Sequence, residues 1–140
     1  MWVLASSRPD LIEVDLKRPG RLDLRIPILP TSCHAESAAL LGALLERFEL
    51  AVSLDELMSI DALPALLTPG AAEALVVKAY RMVRIERISP AIAIKRCLAG
   101  YQNPVPHDVL EAQMRLAVRE ATDLNFVPQV MQYLASDIPP

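Results

Sequence analysis

Arg18 and Arg21 stand three residues apart, on either side of Pro19-Gly20. Two guanidinium groups carried by one stiff turn suit a phosphate, because each is permanently charged and presents a fork of donors. Eleven residues before Arg18, Ser7 follows the short apolar run Trp2-Val3-Leu4-Ala5 and precedes Arg8-Pro9-Asp10. A hydroxyl residue at the end of an apolar strand lies where ligands of open α/β sheets collect. No Gly-x-x-x-x-Gly-Lys-Ser/Thr cradle occurs in the chain. The arrangement therefore reads as part of an assembly whose phosphate-binding half lies elsewhere.

These residues need elements to hold them. Trp2–Ala5 reads as a short buried strand, and Pro9 fits the first turn of a helix, with Asp10 and Glu13 at its positive end. That helix stops by Arg18, because the residue before a proline avoids the α region. Pro19-Gly20 fits the centre of a type II turn, with glycine supplying the positive φ. Leu24-Arg25-Ile26-Pro27-Ile28-Leu29-Pro30 alternates loosely and carries two prolines, so it reads as an edge strand. Taken alone, two arginines around Pro-Gly are most often a solvated surface turn. The register of Ser7, Arg8-Pro9-Asp10 and Asp23 with that turn argues for more.

With those residues in place, Val3 to Pro30 resembles the second region of homology of AAA+ ATPases, in the group called AAA. The match runs without a gap through Arg8-Pro9-Asp10, Leu16, Arg18-Pro19-Gly20-Arg21 and Asp23. Ser7 takes the sensor-1 place, often Asn in that family; Leu22 replaces the usual Phe, and Val14-Asp15 the common Pro-Ala. The resemblance implies that Arg18 and Arg21 are arginine fingers acting on a neighbouring subunit's ATP, and that Ser7 orients water in cis. It implies ATP and Mg²⁺ in the parent assembly and none for the isolated chain. Other AAA+ subunits, in a homo-oligomeric ring, are the implied partners.

Composition narrows the alternatives. Of 140 residues, 53% are apolar and only 4% aromatic, so a core must come from Leu, Ala, Val, Ile and Met, which favours helices. Twelve prolines against four glycines point to helices with firm stops. A net charge of −3 argues against nucleic acid as a general partner. No apolar run approaches the roughly 18–20 residues of a membrane span, and a basic leader is absent, so a cytoplasmic, membrane-free location is expected. Cys33, Cys97, His34 and His107 make neither a disulfide framework nor a metal site by spacing.

From Ser32 onward the periodicity is helical. Helices are expected over about 33–50, 54–66, 69–87, 90–100 and 108–122, with a sixth near 127–135. Ser32, Ser53, Thr68 and Ser89 supply start signals, Ser53 with Glu56 in capping-box spacing and the last two before prolines. Leu75, Val76, Ala79, Met82, Val83 and Ile85 form the core face of the third helix. Lys78, Arg81, Arg84 and Arg87 form a basic stripe on it, a solvated face or a contact for a neighbour's acidic surface. Leu110, Met114, Ala117, Val118 and Ala121 make an apolar stripe on the fifth. Four helices after the arginine turn resemble the AAA+ lid. Within it, Gly70-Ala71 resembles the pair that approaches adenine and ribose, although the following Asp is Ala72 here; the bland alternative is a tight helix start packed on a neighbour.

The expected fold is mainly α: a helical lid-type bundle preceded by a short β-α-β remnant of the ATPase core. The expected divisions are 1–31, 32–102 and a C-terminal extension at 103–140. Function divides two ways. The chain is a C-terminal AAA+ fragment, inactive alone, or a non-catalytic helical interaction module of the same descent. In the resembling fold the strands ending at Ser7 and around Ile26 flank the phosphate-loop strand. Without it they should be disordered, pair together, or self-associate, the last being favoured because Trp2, Val3, Leu4, Ile26 and Ile28 are so apolar.

Overall fold

A computed structural model describes residues 2–135. The described chain is mainly helical and divides into two compact units, Pro30–Pro104 and a unit of Met1–Leu29 with Val105–Pro140. The N-terminal segment and the C-terminal extension, expected as separate pieces, thus share one unit.

The Pro30–Pro104 unit holds α1 (His34–Arg47), α2 (Leu54–Met58), α3 (Pro69–Glu86) and α4 (Pro90–Ala99). α3 packs against both α1 and α4, and α1 against α2. Their meeting faces make an aliphatic core that includes Leu41, Leu45, Leu57, Leu67, Val76, Ile94 and Leu98. The helices start where hydroxyl residues can take an orphan N–H. Ser53 and Glu56 form a reciprocal capping box on α2. Thr68 Oγ accepts from Ala71 N–H ahead of α3, and Ser89 Oγ from Ile92 N–H ahead of α4. At α1 the cap position is Cys33, not Ser32; Ser32 gives both its N–H and its hydroxyl to the Glu36 carboxylate. The second helix ends at Met58, well short of Leu66, and the chain turns over Ile60 and Leu63, whose buried side chains need no helix to reach the core. Leu75, Val76 and Ala79 of α3 are buried as expected, but Ile85 is 80% exposed near its free end.

One polar knot closes this unit. Ser37, on the first turn of α1, is fully buried. Its hydroxyl lies 2.7 Å from that of Thr31, which receives the Leu67 N–H at 2.8 Å and donates to the Ala65 carbonyl at 2.8 Å. Thr31 N–H donates to Leu67 C=O at 3.0 Å. The entry to α1 is thereby tied to the loop that leads into α3.

α1 and α3 end unusually. After α1, Leu50 N–H reaches Leu45 C=O and Glu49 N–H reaches Glu46 C=O, a Schellman arrangement with Glu49 at φ 57°. α3 ends on Arg87 at φ 54°. Glycine is the usual residue at such positions; a side chain costs about 1–2 kcal/mol at each.

The second unit contains α5 (His107–Arg119), whose buried face is Leu110, Met114 and Val118. This face packs on the 3₁₀ segment Gln129–Ala135, which buries Met131 and Leu134. The apolar stripe of the fifth helix therefore finds its cover within the chain. The sixth expected helix is this tighter 3₁₀ form.

The β-α-β remnant is corrected. Among the described residues there is no strand. A strand exists only within a ladder, and neither 2–5 nor 24–30 has a ladder partner; Pro27 and Pro30 also lack donors. The helix expected between them is two 3₁₀ turns, Pro9–Leu11 and Val14–Lys17, broken at Ile12 by an extended backbone. No described helix is long and apolar enough to cross a membrane.

Two outcomes are expected from this packing. Thr31→Val keeps the shape of the side chain but leaves the buried Leu67 N–H unpaired. It should lower the urea stability of a 30–104 fragment by about 1–3 kcal/mol, whereas Thr31→Ser stays near neutral. Separately, the Ser32 and Ser53 donors hold the Glu36 and Glu56 carboxyls below their ordinary value of 4.5. A depressed carboxyl contributes stability above its unfolded value and loses it as pH falls through the folded one. Thermal midpoints of that fragment should drop as pH is lowered below about 4.5, and less steeply in Glu36→Gln/Glu56→Gln.

Candidate functional site

The turn at 18–21 is built as its sequence requires. Arg21 N–H donates to Arg18 C=O at 3.2 Å, and Gly20 sits at φ 86°. A side chain there would meet no neighbouring atom, so backbone conformation alone calls for glycine. Asp23 folds back and accepts the Gly20 N–H through Oδ1. Both arginines are exposed, the Arg18 side chain by 72%. They converge on one residue: Arg18 pairs with the Asp15 carboxylate at 3.0 Å, and Arg21 donates to the Asp15 carbonyl at 3.3 Å. An exposed pair of this kind is weak and screened, so the forks are available to a stronger anion.

Arg8 and Asp10 form a bidentate pair, with Nε–Oδ1 at 2.9 Å and Nη2–Oδ2 at 2.6 Å. Their hydrogen bonds raise the Arg8 pKa and lower that of Asp10. The motif Arg8-Pro9-Asp10 therefore has a local job, clamping the start of a 3₁₀ turn. Ser7 is exposed and lies at a bend, not at a strand end.

Four residues that fix the arginine turn carry no local signal in the sequence. Lys17 pairs with Glu120 at 2.7 Å, both side chains largely covered. The Arg25 guanidinium donates to the carbonyls of Glu120 at 2.8 Å and Lys17 at 3.2 Å. The Arg25 backbone and Thr122 also bond each other: Arg25 N–H donates to Thr122 Oγ, and Thr122 N–H to Arg25 C=O, each at 3.2 Å. The turn is thus gripped on both flanks by the end of α5. Only the three-dimensional pairing of residues about a hundred positions apart reveals it.

Gly70 and Ala71 lie in the other unit, at the first turn of α3. Gly70 is exposed, and a Cβ there would meet no atom within 4 Å, so it is not a tight contact with a neighbouring helix. Ala71 faces the core, and its N–H is taken by Thr68. Of the pair, only Gly70 offers open backbone to a ligand. Among the described residues no group of three or more His, Cys, Asp or Glu could hold a metal. Cys33 is exposed and Cys97 buried, the latter 3.6 Å from the Met82 sulfur; burial pushes its thiol pKa up.

No protein-family model, curated protein or solved structure matches the chain.

The grip on the turn can be tested alone. Arg25→Ala removes two charge-assisted bonds and should weaken local closure by on the order of 2 kcal/mol. Hydrogen exchange of the Arg21 amide should speed up accordingly, while the far-UV circular dichroism of the helices stays unchanged. An unaltered Arg21 exchange rate contradicts the assignment.

Proposed function

We propose that the chain is the C-terminal part of an AAA+ ATPase module, supplying arginine fingers and a nucleotide-covering lid to an oligomeric ring. The observation that carries the reading is the Arg18–Arg21 turn: a glycine-dependent, Asp23-closed turn that presents two exposed guanidinium groups and is anchored on both sides. In that role the two arginines meet charge developing on the γ-phosphoryl oxygens of ATP bound by a neighbouring subunit. Such a finger is worth roughly 10³–10⁵ in rate, or about 4–7 kcal/mol of barrier. Ser7 acts in cis, orienting water near the γ-phosphate of its own subunit's ATP, once its segment is paired into a sheet. Gly70 covers the nucleotide base through its open backbone.

The residues at hand fit only this covering and charge-neutralising share of an ATP·Mg²⁺ site. The chain carries no phosphate-loop motif, and its described residues carry no acidic metal cluster. The bound nucleotide supplies the phosphoryl group, and Mg²⁺ its β/γ charge neutralisation. On this reading the chain takes part in hydrolysis only when another part of the module supplies the phosphate cradle.

A second reading, a non-catalytic helical interaction module of the same descent, is favoured by the exposed apolar residues of the N-terminal segment. Trp2 is 98% and Ile28 82% exposed.

The two readings part in one experiment. The isolated chain should bind ATP more weakly than about 1 mM by calorimetry, for want of a phosphate cradle. An AAA-group large subdomain, ending before its sensor-1 strand and fused ahead of Trp2, should restore hydrolysis. Arg18→Ala or Arg21→Ala in that fusion should cut turnover by about 10³-fold or more with ATP affinity nearly unchanged. A fusion that binds ATP and assembles, yet turns over equally with and without the arginines, returns the turn to an ordinary surface feature.

A further inference from the structure

A concave surface lies wholly within the helical bundle, at the carboxyl ends of α1 and α3, far along α3 from Gly70. It is an open groove of about 520 Å³, with a floor of Phe48, Leu50, Tyr80, Val83 and Ile88. That volume falls within the usual range of ligand clefts. The Phe48 and Tyr80 rings meet at 5.7 Å in a tilted arrangement and form its aromatic wall. Arg84, Arg87 and Glu49 stand on the rim. The two non-glycine residues with positive φ among those described, Glu49 and Arg87, both border this groove.

We propose that this groove docks a short acidic segment of a partner protein, with one aromatic or aliphatic side chain seated beside Phe48 and Tyr80 and flanking carboxylates held by Arg84 and Arg87. The proposal stands independently of the ATPase reading.

Charge complementarity carries it. Among the described residues, five Lys and Arg side chains pair with a carboxylate: Arg96 with Glu86 at 3.0 Å, Arg115 with Glu111, Arg8 with Asp10, Arg18 with Asp15 and Lys17 with Glu120. The side chains of Lys78, Arg81, Arg84 and Arg87 meet no carboxylate among the described residues, although the chain is acidic overall. The Arg84 guanidinium lies 5.2 Å from the Tyr80 ring centroid, which holds it against the wall and leaves its edge donors free. Arg84 and Arg87 also suit the negative end of α3, but that effect fades within the last turn and does not account for Arg81 and Lys78 further back.

The floor decides what kind of anion fits. Leu50, Val83 and Ile88 give a bare phosphate nothing to bind. Glu49 on the rim and the net charge of −3 disfavour a nucleic-acid backbone. A peptide that combines one bulky apolar side chain with two or three carboxylates satisfies both the floor and the rim.

The full chain should bind a fluorescein-labelled Asp-Glu-Phe-Leu-Asp-Glu peptide with a dissociation constant on the order of 10–100 μM, read by anisotropy. Raising salt from about 50 to 300 mM should weaken it several-fold. Arg84→Gln/Arg87→Gln, checked for unchanged circular dichroism, should weaken it about tenfold or more, and Glu49→Gln should tighten it about two- to threefold. Amide shifts on the unmodified chain should centre on Phe48, Tyr80 and Arg87. Four results overturn the proposal: no binding below 1 mM, equal binding of the Asn/Gln version of the peptide, shifts centred outside the groove, or tighter binding of an eight-residue oligothymidylate.

Discussion

The helical bundle depends on one hydroxyl. Thr31 stands where extended chain gives way to α1, and it meets three polar groups that no helix could satisfy: Leu67 N–H, Ala65 C=O and the buried Ser37 hydroxyl. The Ala65–Leu67 backbone lies outside α2 and α3, so it has no ladder of its own. Without a partner, these groups would be desolvated at a cost that a core of aliphatic side chains does not offset locally. Thr31 fixes the loop, the loop fixes the Thr68 cap, and the cap fixes the start of α3. Every exposed feature of α3, from Gly70 at one end to Arg87 at the other, inherits its place from that knot.

What was legible in the sequence followed from local rules. Ser53, Thr68 and Ser89 announced three helix starts because a hydroxyl N-cap acts on an N–H only two or three residues away. Gly20 announced the positive φ of its turn for the same local reason. Thr31 gave no such signal, since its partners lie 34 and 36 residues on. Lys17, Arg25, Glu120 and Thr122 were equally silent. The basic stripe on α3 was visible, but not that Arg84 would rest on Tyr80 beside a groove, because Phe48 arrives from another helix.

The misread elements share one cause. Trp2–Ala5 and Leu24–Pro30 read as strands from apolarity and bounding prolines, which describe a strand's side chains and not its hydrogen bonds. Apolar pattern predicts that a segment wants burial; it does not supply the neighbour. In the structure the second segment is held through Arg25, which bonds Thr122, Glu120 and Lys17, and its Leu24, Ile26 and Ile28 stay exposed. Those three alternate with the less exposed Arg25, Pro27 and Leu29. The alternation of an edge strand is thus present without the sheet.

That unfinished alternation bears on how the arginine turn could work. Its anchors, Lys17 and Arg25, both lead to the end of α5, and nothing in them requires a sheet. Ser7 differs: its proposed role needs a strand end, and its segment has no hydrogen-bonded partner strand among the described residues. A guanidinium acts on a phosphate through charge and reach, which an exposed turn already provides. A water-positioning hydroxyl acts through placement within a few tenths of an ångström, which only a paired strand provides. The two halves of the proposed site are therefore not equally prepared. The arginine turn is held by this chain's own fold, whereas the proposed role of the hydroxyl waits on a partner sheet, so pairing of the Ser7 segment would add a placed hydroxyl without requiring any change at the turn.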